Sequence, residues 1–158
     1  MNAAQHDPSD DSDAKGRKRA ADLLAKASSS ELMAAFATFD PEPQAQPVRG
    51  PETGLVMVRG RIGGGGDPFN LGEATVTRAT IRLASGTVGH AHALGTDRQK
   101  VRLAAIFDAL WQEAGTRDRI ESLLLAPIAA RLEAEDRKKA EEAAATRVDF
   151  FTMVRGED

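Results

Sequence analysis

The sequence predicts an α+β fold: a mainly antiparallel sheet, made of a meander plus a C-terminal strand, packed with several helices. Three observations predict it. Segments of β-type alternation cluster between residues 53 and 95, joined by short turns that contain Gly. Segments of helical period flank them on both sides. A run rich in β-branched and aromatic residues closes the chain. At 158 residues the chain fits one domain, and a domain of that size buries roughly 68–70% of its unfolded surface, enough for a core.

Residues 1–14, acidic and without an apolar period, read as a disordered tail ahead of a single α+β domain over 15–158. A first helix is expected over 15–27, with Ala20, Leu23, Leu24 and Ala27 at helical spacing. Ser28 and Glu31 have capping-box spacing and start a second short helix that runs to Phe36 or Phe39. The stretch "DPEPQAQP" over Asp40–Pro47 breaks regular structure and is expected to cross the surface in an extended form.

The first strand is expected over 53–62, with Val56, Val58 and Ile62 on one face and Met57, Arg59 and Arg61 on the other. Gly63, Gly64, Gly65 and Gly66 make a flexible turn. The second strand spans 69–83, with a bulge or bend near Gly72. Residues 84–86 turn the chain into a third strand over 87–95.

Helices follow. Asp97 caps one whose stripe is Leu103, Ile106, Phe107, Leu110 and Trp111, and Gly115 ends it. Asp118 and Glu121 have capping-box spacing for the next, which Pro127 kinks or restarts. Residues 131–145 continue as a charged, Ala-rich helix that faces solvent or a partner. The last strand is expected over 146–158, with Val148, Phe150, Thr152 and Val154 opposite Asp149, Phe151 and Met153. Being apolar on both faces, it must join the meander or pair with a partner's sheet.

Composition narrows the function classes. With no Cys, disulfides, thiolate nucleophiles and Cys-ligated metal sites are excluded. A net charge of -3 speaks against a generic nucleic-acid binder. No apolar run approaches the roughly 20 residues of a membrane span, and no signal-peptide core stands at the N-terminus, so a cytoplasmic protein is expected. Between Gln46 and Arg119 every basic side chain except Lys100 and the histidines is Arg, the residue suited to carboxylate and phosphate recognition.

Three constellations merit chemical scrutiny. The loop Gly63–Gly66, flanked by Arg61, lets backbone N–H groups approach an anion. It matches neither the P-loop nor the dinucleotide pattern, and a plain hairpin turn accounts for it as well. His90 and His92 share a strand face, yet a catalytic metal site needs a third ligand, and two solvent-facing histidines explain them more simply. The arginines Arg59, Arg61, Arg78, Arg82, Arg147 and Arg155 form a candidate set for an interface or phosphate contact. Against this stands surface solvation, with salt bridges to Glu73, Asp149 and Glu157. The tetrapeptide Met-Val-Arg-Gly occurs twice, at Met57–Gly60 and at Met153–Gly156; either chance accounts for the repeat, or two neighbouring strands each present an arginine to something. No nucleophile–base–acid arrangement stands out, and no catalytic residue is assigned.

Three blocks carry a family resemblance: "RGPETGLVMVRGRIGGGGDPFNLGEATVTRATIRL", "GHAHALGTDRQKVRLAAIFDAL" and "AAATRVDFFTMVRGED". In that order they resemble the small G subunits of the bacterial carbon–phosphorus lyase system, from about Arg17 to Glu157. The most specific parts are Pro68–Arg78 and Thr146–Gly156. The resemblance implies a role in phosphonate catabolism, within a core complex of G, H, I and J subunits with two copies of each. ATP-binding accessory subunits join it. The system, a transferase followed by a lyase, displaces adenine from ATP with a phosphonate to give a ribose 1-phosphonate 5-triphosphate. For this chain it implies a structural or accessory part, no cofactor, no metal, and no nucleic-acid or membrane partner. The family often has an aromatic residue near His92, so neither His inherits a role. The alternative is a phosphate- or nucleotide-binding module built on the Gly63–Gly66 loop and nearby Arg.

Overall fold

The structure, a computed structural model, describes residues 8–61 and 65–145. Helix α1 (Pro8–Lys26) and helix α2 (Ser29–Phe36) precede a three-stranded sheet of β1 (Ala45–Arg61), β2 (Pro68–Leu83) and β3 (Val88–Leu94). Helices α3 (Arg98–Gln112), α4 (Ala114–Ile120) and α5 (Ala126–Ala145) follow, with a π-helical turn at Glu121–Leu125. The strands lie in the order β1-β2-β3, all antiparallel. The expected α+β class and meander are therefore present. The expected C-terminal strand over 146–158 lies outside the described residues.

One side of the sheet is packed. On β2, Thr77, Ala79, Ile81 and Leu83 point inward and alternate with the outward-facing Arg78, Thr80 and Arg82. Helix α3 lies across them and buries Val101, Leu103, Ile106, Phe107, Leu110 and Trp111, so the stripe read from the sequence is the core. Helices α1 and α2 add Ala20, Leu24 and Leu32, and the π-turn with the start of α5 adds Leu124, Leu125 and Ile128.

The caps show why the elements begin where they do. Ser28 and Glu31 form the expected capping box. Asp97 accepts from the Lys100 amide at 2.8 Å and starts α3. The turn after β2 closes with Gly86 at a φ of 96°, a conformation that suits Gly.

Several expected boundaries move. Helix α1 starts at Pro8 rather than at 15, with Pro in the first turn, where a missing N–H costs nothing. Asp13, read as tail, pairs with Arg117 at 2.8 Å and ties this turn to α4. Strand β1 begins at Ala45, inside the supposed breaker. It is an edge strand, and its register shifts between Pro47 and Arg49 and again between Arg49 and Glu52, so the ladder accommodates Pro47 and Pro51. Gly115 does not end α3, which stops at Gln112, and sits within α4. Asp118 and Glu121 cap nothing. The Glu121 carboxylate instead takes both Arg19 Nη1 and Trp111 Nε1, and the helix runs on through the π-turn. There the Ala126 amide reaches back to the Glu121 carbonyl just ahead of Pro127.

Candidate functional site: a protruding β arm and the open face of the sheet

Strand β3 pairs with β2 only from Val76 to Arg82. Beyond that point β1 and β2 continue without a third strand among the described residues, from Leu55 opposite Thr75 to Arg61 opposite Pro68. The result is a two-stranded arm roughly 25 Å long at about 3.3 Å per residue. The bulge expected near Gly72 is there: Val58 faces Gly72 and Arg59 faces Asn70, which leaves Leu71 as the extra residue. Leu71 folds over Gly60, where a Cβ would stand 2.5 Å from Leu71 Cδ1.

Among the described residues the arm exposes much apolar surface. Leu55, Val56, Met57, Val58, Phe69 and Leu71 are all exposed, Leu55 by 63% and Leu71 by 61%. Strand alternation and register put Val56 and Val58 on one face with Ala74, and Leu55, Met57, Arg59 and Arg61 on the other with Thr75, Glu73 and Asn70, so one face is apolar and the other mixed. A lone two-stranded ribbon is marginal in water, and a contiguous apolar surface of this kind marks an interaction site.

The predicted site residues divide. Arg59 and Arg61 stand at the tip of the arm, both exposed. Arg61 Nη1 donates to the Gly66 carbonyl at 3.0 Å. Arg78 is not with them: it lies opposite Glu52, where the arm leaves the body. Gly65 and Gly66 are at the tip, while Gly63, Gly64, Arg147 and Arg155 lie outside the described residues, as does the second Met-Val-Arg-Gly. The salt bridges expected with Glu73 are not those seen. Glu52 Oε1 accepts from Arg49 Nε at 2.8 Å and from Arg78 Nε at 2.7 Å, and Arg78 first, with Arg49, holds the Glu52 carboxyl below the usual range. Sequence reasoning missed Glu52, whose signal is visible only once the register sets it opposite Arg78.

His90 and His92 face outward beside this clasp, opposite Thr80 and Arg78. His90 Nδ1 lies 3.0 Å from Thr80 Oγ1. With Arg49, Val56 and Val76 these groups edge a shallow cavity of about 420 Å³ on the open sheet face. Among the described residues no group of three or more His, Asp or Glu is placed to hold a metal ion. Nor does any helix among them have the length and apolarity to cross a membrane.

Among the described residues Asp108 is the one buried carboxylate, and both of its oxygens are engaged. It accepts from Arg17 Nε and Nη2 and from the His90 amide at 2.8 Å. These bonds fasten α1 and β3 to α3, a structural task.

The described residues thus define a small α+β protein that presents surfaces to other molecules. The comparisons with known proteins agree. The family model described as phosphonate metabolism protein PhnG matches residues 15–156. The chain is 63% identical over 158 residues to the alpha-D-ribose 1-methylphosphonate 5-triphosphate synthase subunit PhnG of Rhizobium meliloti (strain 1021), covering 100% of this chain and 99% of that one. The chain belongs to the PhnG family of phosphonate metabolism proteins.

Proposed function

We propose that this chain is an accessory subunit of an alpha-D-ribose 1-methylphosphonate 5-triphosphate synthase, acting in the cytoplasm. The observation that carries the reading is the end-to-end likeness to the Rhizobium meliloti synthase subunit. The apolar surface that the arm exposes among the described residues supports the accessory role, because such a surface marks an interaction site. In this reading the chain assembles with H, I and J subunits, two copies of each, and with ATP-binding accessory subunits. The assembly transfers a phosphonate to the ribose C1′ of ATP: a phosphonate oxygen bonds to that carbon, the bond to adenine breaks, and adenine leaves with a proton. Arg59, Arg61 and the Gly63–Gly66 loop contact a partner or a substrate phosphate at the arm's tip. Arg78 contributes at its root, and Arg147 and Arg155 belong to the same interface.

The test is reconstitution. The other subunits are purified with and without this chain and given ATP and methylphosphonate, and released adenine is measured. The reading expects release to depend on the chain, with a loss of tenfold or more when it is omitted. Equal rates with and without it would overturn the accessory assignment.

A further inference from the structure

We propose that the open face of the sheet, at the root of the β arm, is a binding site for an oligophosphate, an anion of two or more linked phosphates. The site goes beyond the accessory reading, whose phosphate contacts centre on the tip of the arm, and its test needs no other subunit. The key observation is a charge imbalance set by the register. Three rows cross this face: Glu52–Arg78–His92, Arg49–Thr80–His90 and Gln46–Arg82–Val88. They bring three arginines and two histidines together with one carboxylate, that of Glu52.

That carboxylate leaves the guanidiniums open. Glu52 Oε1 accepts from Arg49 Nε at 2.8 Å and from Arg78 Nε at 2.7 Å. A guanidinium has five N–H donors, and the Nη groups of both arginines have no hydrogen-bond partner among the described residues. One oxygen thus holds two cations side by side with their paired Nη donors unused, the fork that matches phosphate oxygens. Exposed ion pairs of this kind are weak, so an incoming anion competes for these arginines readily.

The surroundings fit the same ligand. Arg49 and Arg78, with Thr80, His90 and His92, edge the hollow of about 420 Å³, whose lining has no acidic side chain. Thr80 Oγ1 lies 3.0 Å from His90 Nδ1. With the hydroxyl donating, Nε2 carries the ring proton and is one more donor. Arg82 stands one row beyond, exposed, and successive rows on β2 lie roughly 7 Å apart. One row suffices for a single phosphate, whereas cations in successive rows answer a chain of charges. Val56 and Val76 close the hollow at its other end and offer contact to an uncharged group carried by the phosphates.

Isothermal titration calorimetry on the full chain at low salt tests this, with inorganic phosphate, inorganic tripolyphosphate and ATP as ligands. Tripolyphosphate is expected to bind at one site per chain, about tenfold more tightly than inorganic phosphate, and to weaken as salt rises. The double variant Arg49→Ala with Arg78→Ala is expected to weaken it about tenfold. Glu52→Gln keeps an acceptor for both Nε groups and removes the competing charge, so it is expected to tighten binding about threefold. Tighter binding of ATP than of tripolyphosphate would identify a nucleotide whose uncharged part meets Val56 and Val76. The reverse order would identify a bare phosphate chain, and both orders support the site. Failure of tripolyphosphate and ATP alike to bind overturns the proposal, as does wild-type binding by the folded double variant. Binding lost instead in Arg59→Ala with Arg61→Ala puts the ligand at the tip and also overturns it. If no oligophosphate binds, yet the Arg49→Ala and Arg78→Ala chain no longer recovers the other synthase subunits, this face is a protein interface and the proposal falls. Dependence of adenine release on the chain is decided separately, so the accessory reading survives any of these failures.

Discussion

The Arg17 guanidinium grips Asp108 with two nitrogens, Nε at 3.1 Å from Oδ1 and Nη2 at 2.8 Å from Oδ2. The grip is lopsided in exposure, since the Arg17 side chain is 38% exposed and the Asp108 side chain 3%. Replacing Asp108 therefore leaves Arg17 able to turn to water but strands the part-buried His90 amide, which donates to Oδ2. Asp108→Ala is expected to cost about 3 kcal/mol in urea unfolding. Asp108→Asn, which keeps an acceptor for that amide, is expected to cost about half as much. Equal losses for the two would mean that the charge alone matters.

Gly89 shows a different kind of constraint. A Cβ there would run into the Ala105 carbonyl oxygen and stand 2.7 Å from the Ala109 amide nitrogen. The obstacle is helix backbone, so α3 must lift off the sheet to admit even a methyl group. Gly89→Ala is expected to destabilise the protein by about 3 kcal/mol or more. Gly86→Ala is the contrast: a Cβ there meets nothing within 4 Å, and only its φ of 96° resists. About 1 kcal/mol is expected. Thermal unfolding of the two variants separates crowding from backbone strain.

Acid stability follows from two carboxylates. Arg131, bonded to Glu31 at 2.8 Å, is the main cause holding that carboxyl below its ordinary range. The Lys100 amide, and after it the Ser29 hydroxyl, do the same for Asp97. A lowered folded value means that the unfolded chain takes up protons first as pH falls. Their stabilisation is therefore fully present above the unfolded values near about 4 and is lost as pH drops through the folded ones. The double variant Glu31→Gln with Asp97→Asn is expected to be less stable than wild type at pH about 7, with the gap narrowing as pH falls below the unfolded values near about 4. Parallel curves of unfolding midpoint against pH would contradict this.

How much of this was legible in the sequence depended on which physics set each element. The α3 stripe and the Ser28 and Asp97 caps are local signals that tertiary packing reinforces, and they read directly. Asp118 and Glu121 look like a cap by spacing, but Arg19 and Trp111 take the Glu121 carboxylate from parts of the chain that no local window sees. Gly115 reads as a stop, yet it lies in a continuing helix, and the positive φ values among the described residues belong to Gly50, Gly86 and Gly95. The arm was legible as strands and illegible as an arm. Leu55 to Val58 is apolar at every position, as in a strand covered on both sides, and only the register shows Thr75 and Glu73 sharing a face with Leu55 and Met57. The arginine set dispersed for a similar reason. Arg59 and Arg61 are adjacent by alternation, but only the register shows Arg78 at the other end of the arm, clasped by Glu52.

Phe107 ties the helices to one another. It is fully buried, with the Phe36 ring edge-on at 6.4 Å and the Phe39 ring tilted at 6.2 Å between centroids. Aromatic residues are only 4% of the chain, so the surrounding small side chains cannot close the hole that a truncated Phe107 leaves. Phe107→Ala is expected to cost about 4 kcal/mol. Phe39→Ala should cost less, about 2 kcal/mol, because Phe39 is half-buried and its outer face carries the Arg119 guanidinium at 4.0 Å. If the two cost the same in urea unfolding, the cluster acts as one aromatic unit. If Phe107→Ala costs far more, α3 holds α2 in place mainly through that single ring.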